Sequence, residues 1–321
     1  MTFKKRNIKD LVCLLFMVAV VSYKAFGQQD PVYTQYMYNM SVINPAYATA
    51  DAGVINMGAL YRSQWVGAVG APKTATFFAH TPLNERIEVG ISVVHDEIGD
   101  GLVNEDNIYG DFAYVLQINQ FTYLSLGVKA GVTLFNTRFD DVQLNSGDFS
   151  TDPAFAQNVS ETFPNLGAGA FLYNDRFYLG LSAPNFFNNK HLDRENGIRR
   201  LGAENIHVFF TGGYVFDINS QLKFKPSFMT RAVSGAPLSL DISANVLFNE
   251  KFEAGLSYRL DDAVSALFNV KVTPGLRIGY AYDYTTTNLG DFNSGTHEVF
   301  LLFDLDLLGL SRGYNKSPRF F

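Results

Sequence analysis

Between Leu276 and Tyr284 the chain reads LRIGYAYDY, with Leu276, Ile278, Tyr280, Tyr282 and Tyr284 on one side of an alternation and Arg277, Gly279, Ala281 and Asp283 on the other. A period of two is the signature of a strand with one apolar face and one polar or very small one. It recurs in LSLDISANVLF, where Leu238, Leu240, Ile242, Ala244, Val246 and Phe248 oppose Ser239, Asp241, Ser243 and Asn245. In FEAGLSYRL, Phe252, Ala254, Leu256, Tyr258 and Leu260 oppose Glu253, Gly255, Ser257 and Arg259. The chain is therefore all-β, but a soluble sandwich would show the same alternation.

The connections discriminate. Strands are predicted near 54–64, 73–80, 86–95, 106–118, 121–135, 164–173, 176–183, 204–217, 220–232, 237–248, 251–260, 262–273, 275–285 and 296–308, fourteen in all. After even-numbered strands the links are tight: TPLNE, NQ, ND, NS, NE and PG. After odd-numbered strands they tend to be long: SQWVGAVGAP, DEIGDGLVNE, 136–163, 184–203 and TTNLGDFNSG. Short turns at one end and long loops at the other mark a transmembrane antiparallel β-barrel of the outer-membrane type, with periplasmic turns and extracellular loops. The eleventh connection, at Asp261 and Asp262, is the exception: short where a long loop is expected.

The first residues predict export. Lys4, Lys5, Arg6 and Lys9 precede the apolar run Leu11–Val21, and Ala25-Phe26-Gly27 is a small-x-small cleavage site. The run is too short to span a bilayer as a helix. The only cysteine, Cys13, falls within it, so the mature chain would carry no disulfide. Removing residues 1–27 takes five basic residues and one acidic residue from totals of 25 and 31, leaving 20 against 30 and a net charge near −10. That balance argues against nucleic acid as a partner. Charged residues are only 17% of the chain, against about 25% in soluble domains, which suits a lipid-facing exterior. The expected organisation is a signal peptide (1–27), a periplasmic N-terminal segment (28–52), the barrel (53–308) and a periplasmic tail (309–321).

Inward faces would carry Glu88, Asp111, Lys129, Lys223, Lys225, Asp241, Glu253, Arg259, Lys271, Arg277, Asp283, Glu298, Asp304 and Asp306. Such mixed signs point to a cross-bridged interior rather than an ion-selective pore. Fourteen strands enclose more space than the side-chain-filled core of an eight-stranded barrel. The uncharged stretch before the first strand, VYTQYMYNMSVINPAYA, offers something to fill it. Tyr33, Tyr36, Met37 and Met40 would share one side of a short helix that Asn44-Pro45 ends. The stretch is expected at the periplasmic mouth, as a plug, as a docking element using Tyr33, Gln35, Tyr36, Tyr38, Asn39, Asn44 and Pro45, or as a simple seal.

DPVYTQYMYNMSVINPAYA, YRSQWVGAVGAPKT, GLSAPNFF, GYAYDY, GTHEVFL and the terminal SPRFF together resemble the PorP/SprF family of type IX secretion system outer-membrane proteins of Bacteroidetes, over essentially the whole mature chain. The resemblance implies a non-enzymatic component of the secretion and gliding machinery. Its partners would be outer-membrane lipid and lipopolysaccharide, type IX components such as the periplasmic ring, and a secreted adhesin or its C-terminal domain. Cargo would meet the long loops, with Trp65, Phe186 and Phe187 as aromatic anchors; an interface-belt or loop-packing role for Trp65 is the alternative.

Other readings are weaker. A diffusion porin shares the barrel but not the tyrosine-rich leader. A membrane hydrolase would need a serine nucleophile beside one of the five histidines, His80, His95, His191, His207 and His297, and no G-x-S-x-G occurs. DEIGDGLVNEDN (Asp96–Asn107) resembles a calcium loop, but Ile98 stands third and Asn107 twelfth, where an oxygen ligand and a glutamate belong. No cofactor is implied. Lys190, Arg194, Arg199 and Arg200 form a basic group in the seventh connection, suited to lipopolysaccharide phosphates or an acidic partner, or simply solvated.

Overall fold

The structure, a computed structural model, describes residues 31–47, 54–139, 143–144, 147–148, 158–187 and 205–306. The expected signal peptide, the basic group of the seventh connection and the C-terminal tail lie outside the described residues. Fourteen antiparallel strands form one closed sheet: β1 Val54–Ser63, β2 Lys73–Pro82, β3 Ile87–Ile98, β4 Val103–Gln117, β5 Tyr123–Thr137, β6 Ser160–Tyr173, β7 Phe177–Ala183, β8 His207–Tyr214 continued by Phe216–Asp217, β9 Leu222–Val233, β10 Ser239–Phe248, β11 Phe252–Arg259, β12 Ala263–Thr273, β13 Leu276–Thr285 and β14 Thr296–Asp306. Each strand pairs with its neighbours in sequence, and β1 closes on β14 over ten residue pairs, from Val54 opposite Asp306 to Ser63 opposite His297. Closure removes the unpaired edges that an open sheet would present to lipid. A two-residue hairpin, Gln143–Leu144 with Gly147–Asp148, stands apart from the barrel.

The barrel is inside out relative to a soluble protein. Along β10, Asp241, Ser243 and Asn245 are buried while Ile242 and Val246 are exposed; along β11, Glu253, Ser257 and Arg259 are buried while Leu256 is exposed. The exposed set is aliphatic and aromatic around the circumference. Tyrosines Tyr61, Tyr258 and Tyr284 stand toward one rim and Phe121, Phe216, Phe248 and Phe252 toward the other, the two aromatic girdles of a membrane barrel. No helix among the described residues is long and apolar enough to cross a membrane.

The ends differ as the alternation of links predicts. At the turn end, Asn84, Asn119, Asn174 and Asn219 each accept backbone N–H bonds from residues two or three further on, the local geometry that lets asparagine open a tight turn. At the loop end one expectation is overturned. DEIGDGLVNE is mostly strand: β3 runs to Ile98 and β4 starts at Val103, leaving a four-residue link with left-handed backbone at Gly99, Asp100 and Gly101. The stretch is a hairpin laddered to its neighbours on both sides, with Asp96 held by the Thr74 hydroxyl at 2.5 Å and His95 Nδ1 2.7 Å from Asp106, not a calcium loop. The eleventh connection is indeed short, turning at Asp261 in the left-handed region.

Candidate functional site

The interior of the barrel is occupied. Residues 33–47 are almost all buried, Tyr36, Gln35, Asn39 and Ala46 completely so, and with inward-facing Leu60, Phe78, Phe171, Met229, Leu267, Phe300 and Leu302 they form the hydrophobic cluster of the molecule. The expected one-sided helix is absent. A 3-10 turn, Tyr36–Tyr38, runs into a single helical turn, Met40–Ile43, which ends where Asn44 becomes extended before Pro45. A helix of one apolar stripe would leave a polar face in the lumen without partners. The irregular path lets Tyr33, Tyr36, Met37, Tyr38 and Met40 all find cover.

The position is also deeper than a periplasmic mouth. The first anchor lies toward the loop end. Arg62, near the end of β1, donates to Glu298 of β14 at 3.0 Å, to Asp283 of β13 at 2.9 Å and to the Thr34 hydroxyl at 2.9 Å. That hydroxyl donates onward to Asp283 at 2.7 Å, while the backbone N–H groups of Thr34 and Gln35 donate to the two oxygens of Glu298 at 3.0 and 2.8 Å. Two buried carboxylates against one guanidinium would be short of donors; the segment supplies them. The anchor sits on the seam where β1 closes on β14. Nearby, the Tyr33 hydroxyl is 2.9 Å from Thr76 Oγ1.

The second anchor lies toward the turn end. The Tyr38 hydroxyl donates to the Glu253 carboxylate and accepts from Asn269 Nδ2 at 3.0 Å, and its ring stacks on Phe300 with centroids 4.7 Å apart. Lys225 Nζ lies 5.6 Å and the Arg277 guanidinium 5.9 Å from the ring centre, within reach of a cation–π attraction. Arg277 also donates to Glu253 at 3.2 Å. Burial pushes the phenols of Tyr33, Tyr36 and Tyr38 well up, so they remain protonated.

The third anchor is steric. Asn44, Pro45 and Ala46 lie against β5, β6 and β7 where those strands carry Gly127, Gly169 and Gly180. A Cβ at Gly127 would strike the backbone of Pro45 and Ala46, and one at Gly169 would strike the Asn44 amide oxygen. Asn44 Nδ2 donates to the Ala170 carbonyl at 3.1 Å, Asn44 Oδ1 accepts from Ala46 N–H at 2.9 Å, and the Ser182 hydroxyl donates to the Ile43 carbonyl at 2.9 Å. Tyr47 then packs edge-on against Phe171 and His80.

Seven of the ten residues singled out from the sequence, Tyr33, Gln35, Tyr36, Tyr38, Asn39, Asn44 and Pro45, thus lie together in the lumen. The other three do not join them. Trp65 stands in the first long loop with left-handed backbone (φ 47°), its backbone N–H donating to Thr296 Oγ1 at 3.1 Å. Phe186 and Phe187 follow β7, exposed, nearly opposite Trp65 around the ring. Of the residues expected inside, Glu88, Lys129, Lys223, Lys225, Asp241, Glu253, Arg259, Asp283 and Glu298 are buried and Asp306 is exposed at the rim. Arg62, Thr34 and the three glycines were not singled out. Arg62 shares the alternation of Asn56, Gly58 and Leu60, which would have placed it inward. Four described histidines are dispersed: His80 and His207 face inward, His95 sits on the hairpin, and His297 pairs on the outer side with Tyr280 at 2.6 Å. No group of three or more metal-ligating side chains occurs among the described residues.

No curated protein matches the chain. Among solved structures it is similar to the outer membrane protein Omp33 of Acinetobacter baumannii (9% identity over 79% of this chain and 100% of that one, TM-score 0.45), to a FadL homologue of Pseudomonas aeruginosa (14%, 87% and 95%, 0.42) and to a mutant of the monoaromatic hydrocarbon channel TodX (10%, 83% and 93%, 0.45). None of the three is close enough to speak to what this chain does. A family model described as type IX secretion system membrane protein PorP/SprF matches residues 25–303, and with the closed barrel it places the protein in the outer membrane. The chain belongs to the PorP/SprF family of type IX secretion system membrane proteins.

Proposed function

We propose that this protein is a sealed, non-enzymatic outer-membrane scaffold of the type IX machinery. It holds or passes a secreted cargo, such as the C-terminal domain of an adhesin, at its loop end, and presents its turn end to the periplasmic components. The observation that carries this reading is the lumen: fifteen residues of the chain's own N-terminal segment lie buried in it, anchored at three points, which supports a scaffold over a diffusion pore. Burial of Tyr33 to Tyr47 favours the plug over the docking reading of that segment. Recognition then falls to the two ends, which by the usual orientation of such barrels are extracellular loops and periplasmic turns.

The test combines two measurements on the full chain. In planar bilayers the purified protein is expected to show no steady single-channel conductance. In mild detergent, the tagged protein recovered from its native outer membrane should bring with it a large secreted polypeptide or type IX ring components, identified by mass spectrometry. Steady conductance with no type IX component recovered would favour a porin instead.

A further inference from the structure

Above the lumen segment, on its loop-end side, lies a cavity of about 80 Å³. Its floor is the segment itself, at Val32 and Ile43, and its walls are Val94 of β3, Phe209 of β8 and Met229 of β9. Pockets for free small molecules run to about 300–1,000 Å³, so this one is the size of a single side chain. Its lining is aliphatic and aromatic with a methionine, which adapts its shape to whatever enters. Glu105, Asn107, Tyr109, Asn185 and Arg231 bring polar groups to the same lining.

The rim has a sign. Glu105 belongs to the β3–β4 hairpin, which carries Asp96, Glu97, Asp100, Glu105 and Asp106. Among the groups set against them are Lys73, 3.2 Å from Glu97 and 3.8 Å from Asp100, His95, against Asp106, and Arg138 beside the tip at Gly101, so the five carboxylates still outnumber the cations. Arg231 is the cation in the pocket lining. The Asp100 side chain is 64% exposed. A ligand that fills this pocket therefore arrives past a predominantly acidic hairpin.

The geometry points to a receptor pocket for one apolar side chain of an extracellular polypeptide, with basic residues beside it to meet the hairpin. This rests on the reading of the loop end as the cargo-facing surface, and adds to it the anchor and the charge of the partner. It also gives the N-terminal segment a second task, since the pocket has its floor only while the segment is seated.

The experiment uses a photo-reactive p-benzoylphenylalanine placed at Phe209, inside the pocket, or at Val69, which is 98% exposed on the first long loop, in the full chain in its native outer membrane. Both positions are expected to capture the same extracellular polypeptide, with the Phe209 cross-link mapping by mass spectrometry to an apolar residue that has Lys or Arg close by in sequence. Capture at Val69 with only lipid or this chain itself cross-linked at Phe209 would overturn the pocket and leave the scaffold reading standing. No polypeptide at either position would overturn both. A filled pocket gives an independent check: Met229→Trp, or Val94→Phe should the first variant lose its heat-modifiable gel mobility, should lower recovery at Val69 about tenfold, the loss of one modest anchor. Unchanged recovery in a folded variant would also overturn the pocket.

Discussion

On one side of the lumen, β9 to β14 and β1 reach the segment with long polar and charged side chains: Lys225, Glu253, Asn269, Arg277, Asp283, Glu298 and Arg62. On the other, β5 to β7 present Gly127, Gly169 and Gly180, and the backbone of Asn44 to Ala46 comes to the wall instead. The charged wall holds through hydrogen bonds that name particular atoms of Thr34, Gln35 and Tyr38. The glycine wall holds by leaving room. The two should fail differently: the first when a side chain is shortened, the second when one is lengthened.

Removing the segment abolishes the comparison and has the largest expected effect. A chain lacking residues 33–46 but keeping the lead into β1 loses the burial of Tyr33, Tyr36, Met37, Tyr38, Met40 and Ile43, about 1.5–3 kcal/mol for each side chain. It also leaves the lumen carboxylates and cations facing water. The temperature at which its gel mobility converts to that of the boiled form should fall steeply, and a closed protein should become a conducting one in planar bilayers. A deletion that stays non-conducting would mean that the inward side chains alone close the barrel.

Arg62→Ala strikes the charged wall. It leaves Asp283 and Glu298 buried without their shared guanidinium, and although the Thr34 hydroxyl, two backbone N–H groups of the segment, Ser265 and the charge of Arg259 remain, removing one member of a buried ion pair costs about 3–5 kcal/mol. The same unfolding assay should register a clear drop, and because the anchor straddles the β1–β14 seam, assembly in the membrane should slow as well. Arg62→Lys should recover only part of the loss, since an ammonium cannot serve Asp283, Glu298 and Thr34 with the guanidinium's planar fork.

Gly169→Val strikes the glycine wall. No side chain is lost, yet the new Cβ meets Asn44 Oδ1, and overpacking of this kind costs about 1–3 kcal/mol. The expected signature is intermittent conductance with a mature, heat-modifiable barrel: the segment displaced, the wall intact. If Gly169→Val and Arg62→Ala behave alike, with both assembly and closure lost together, the two walls are one cooperative unit.

The barrel was legible because its rule is local. Alternation in LSLDISANVLF and FEAGLSYRL fixes which face of each strand is polar, and Asn-led turns fix where strands reverse. The placement of the segment was not legible, for two physical reasons. A polar inward face reads the same whether water or a peptide lies against it, so Glu253 and Asp283 gave no hint of Tyr38 or Thr34. The contacts also join residues some 215 to 264 positions apart, beyond any period in the chain. The loop-end hairpin was misread for the opposite reason. Asp, Glu and Gly between Asp96 and Glu105 have the composition of a solvated loop, but there the strands continue and polar residues pair across the ladder as Thr74 does with Asp96.

The smallest expected change separates the two anchors within the charged wall. Tyr38→Phe removes one hydroxyl that donates to Glu253 and accepts from Asn269, but keeps the ring stacked on Phe300 and beneath Lys225 and Arg277. Glu253 retains bonds from Asn245, Asn269 and Arg277 at 2.6, 2.9 and 3.2 Å, so its charge stays satisfied and the loss should be near that of one ordinary hydrogen bond, about 0.5–1.5 kcal/mol. The lumen should remain closed. Tyr38→Ala gives up the ring as well, and the difference between the two variants in the mobility-shift assay measures how much of this anchor is aromatic packing and how much is the hydroxyl. Equal losses would mean that the ring contributes nothing there; a conducting Tyr38→Phe variant would mean that one hydroxyl at the turn end, and not the ion-paired seam at Arg62, keeps the passage shut.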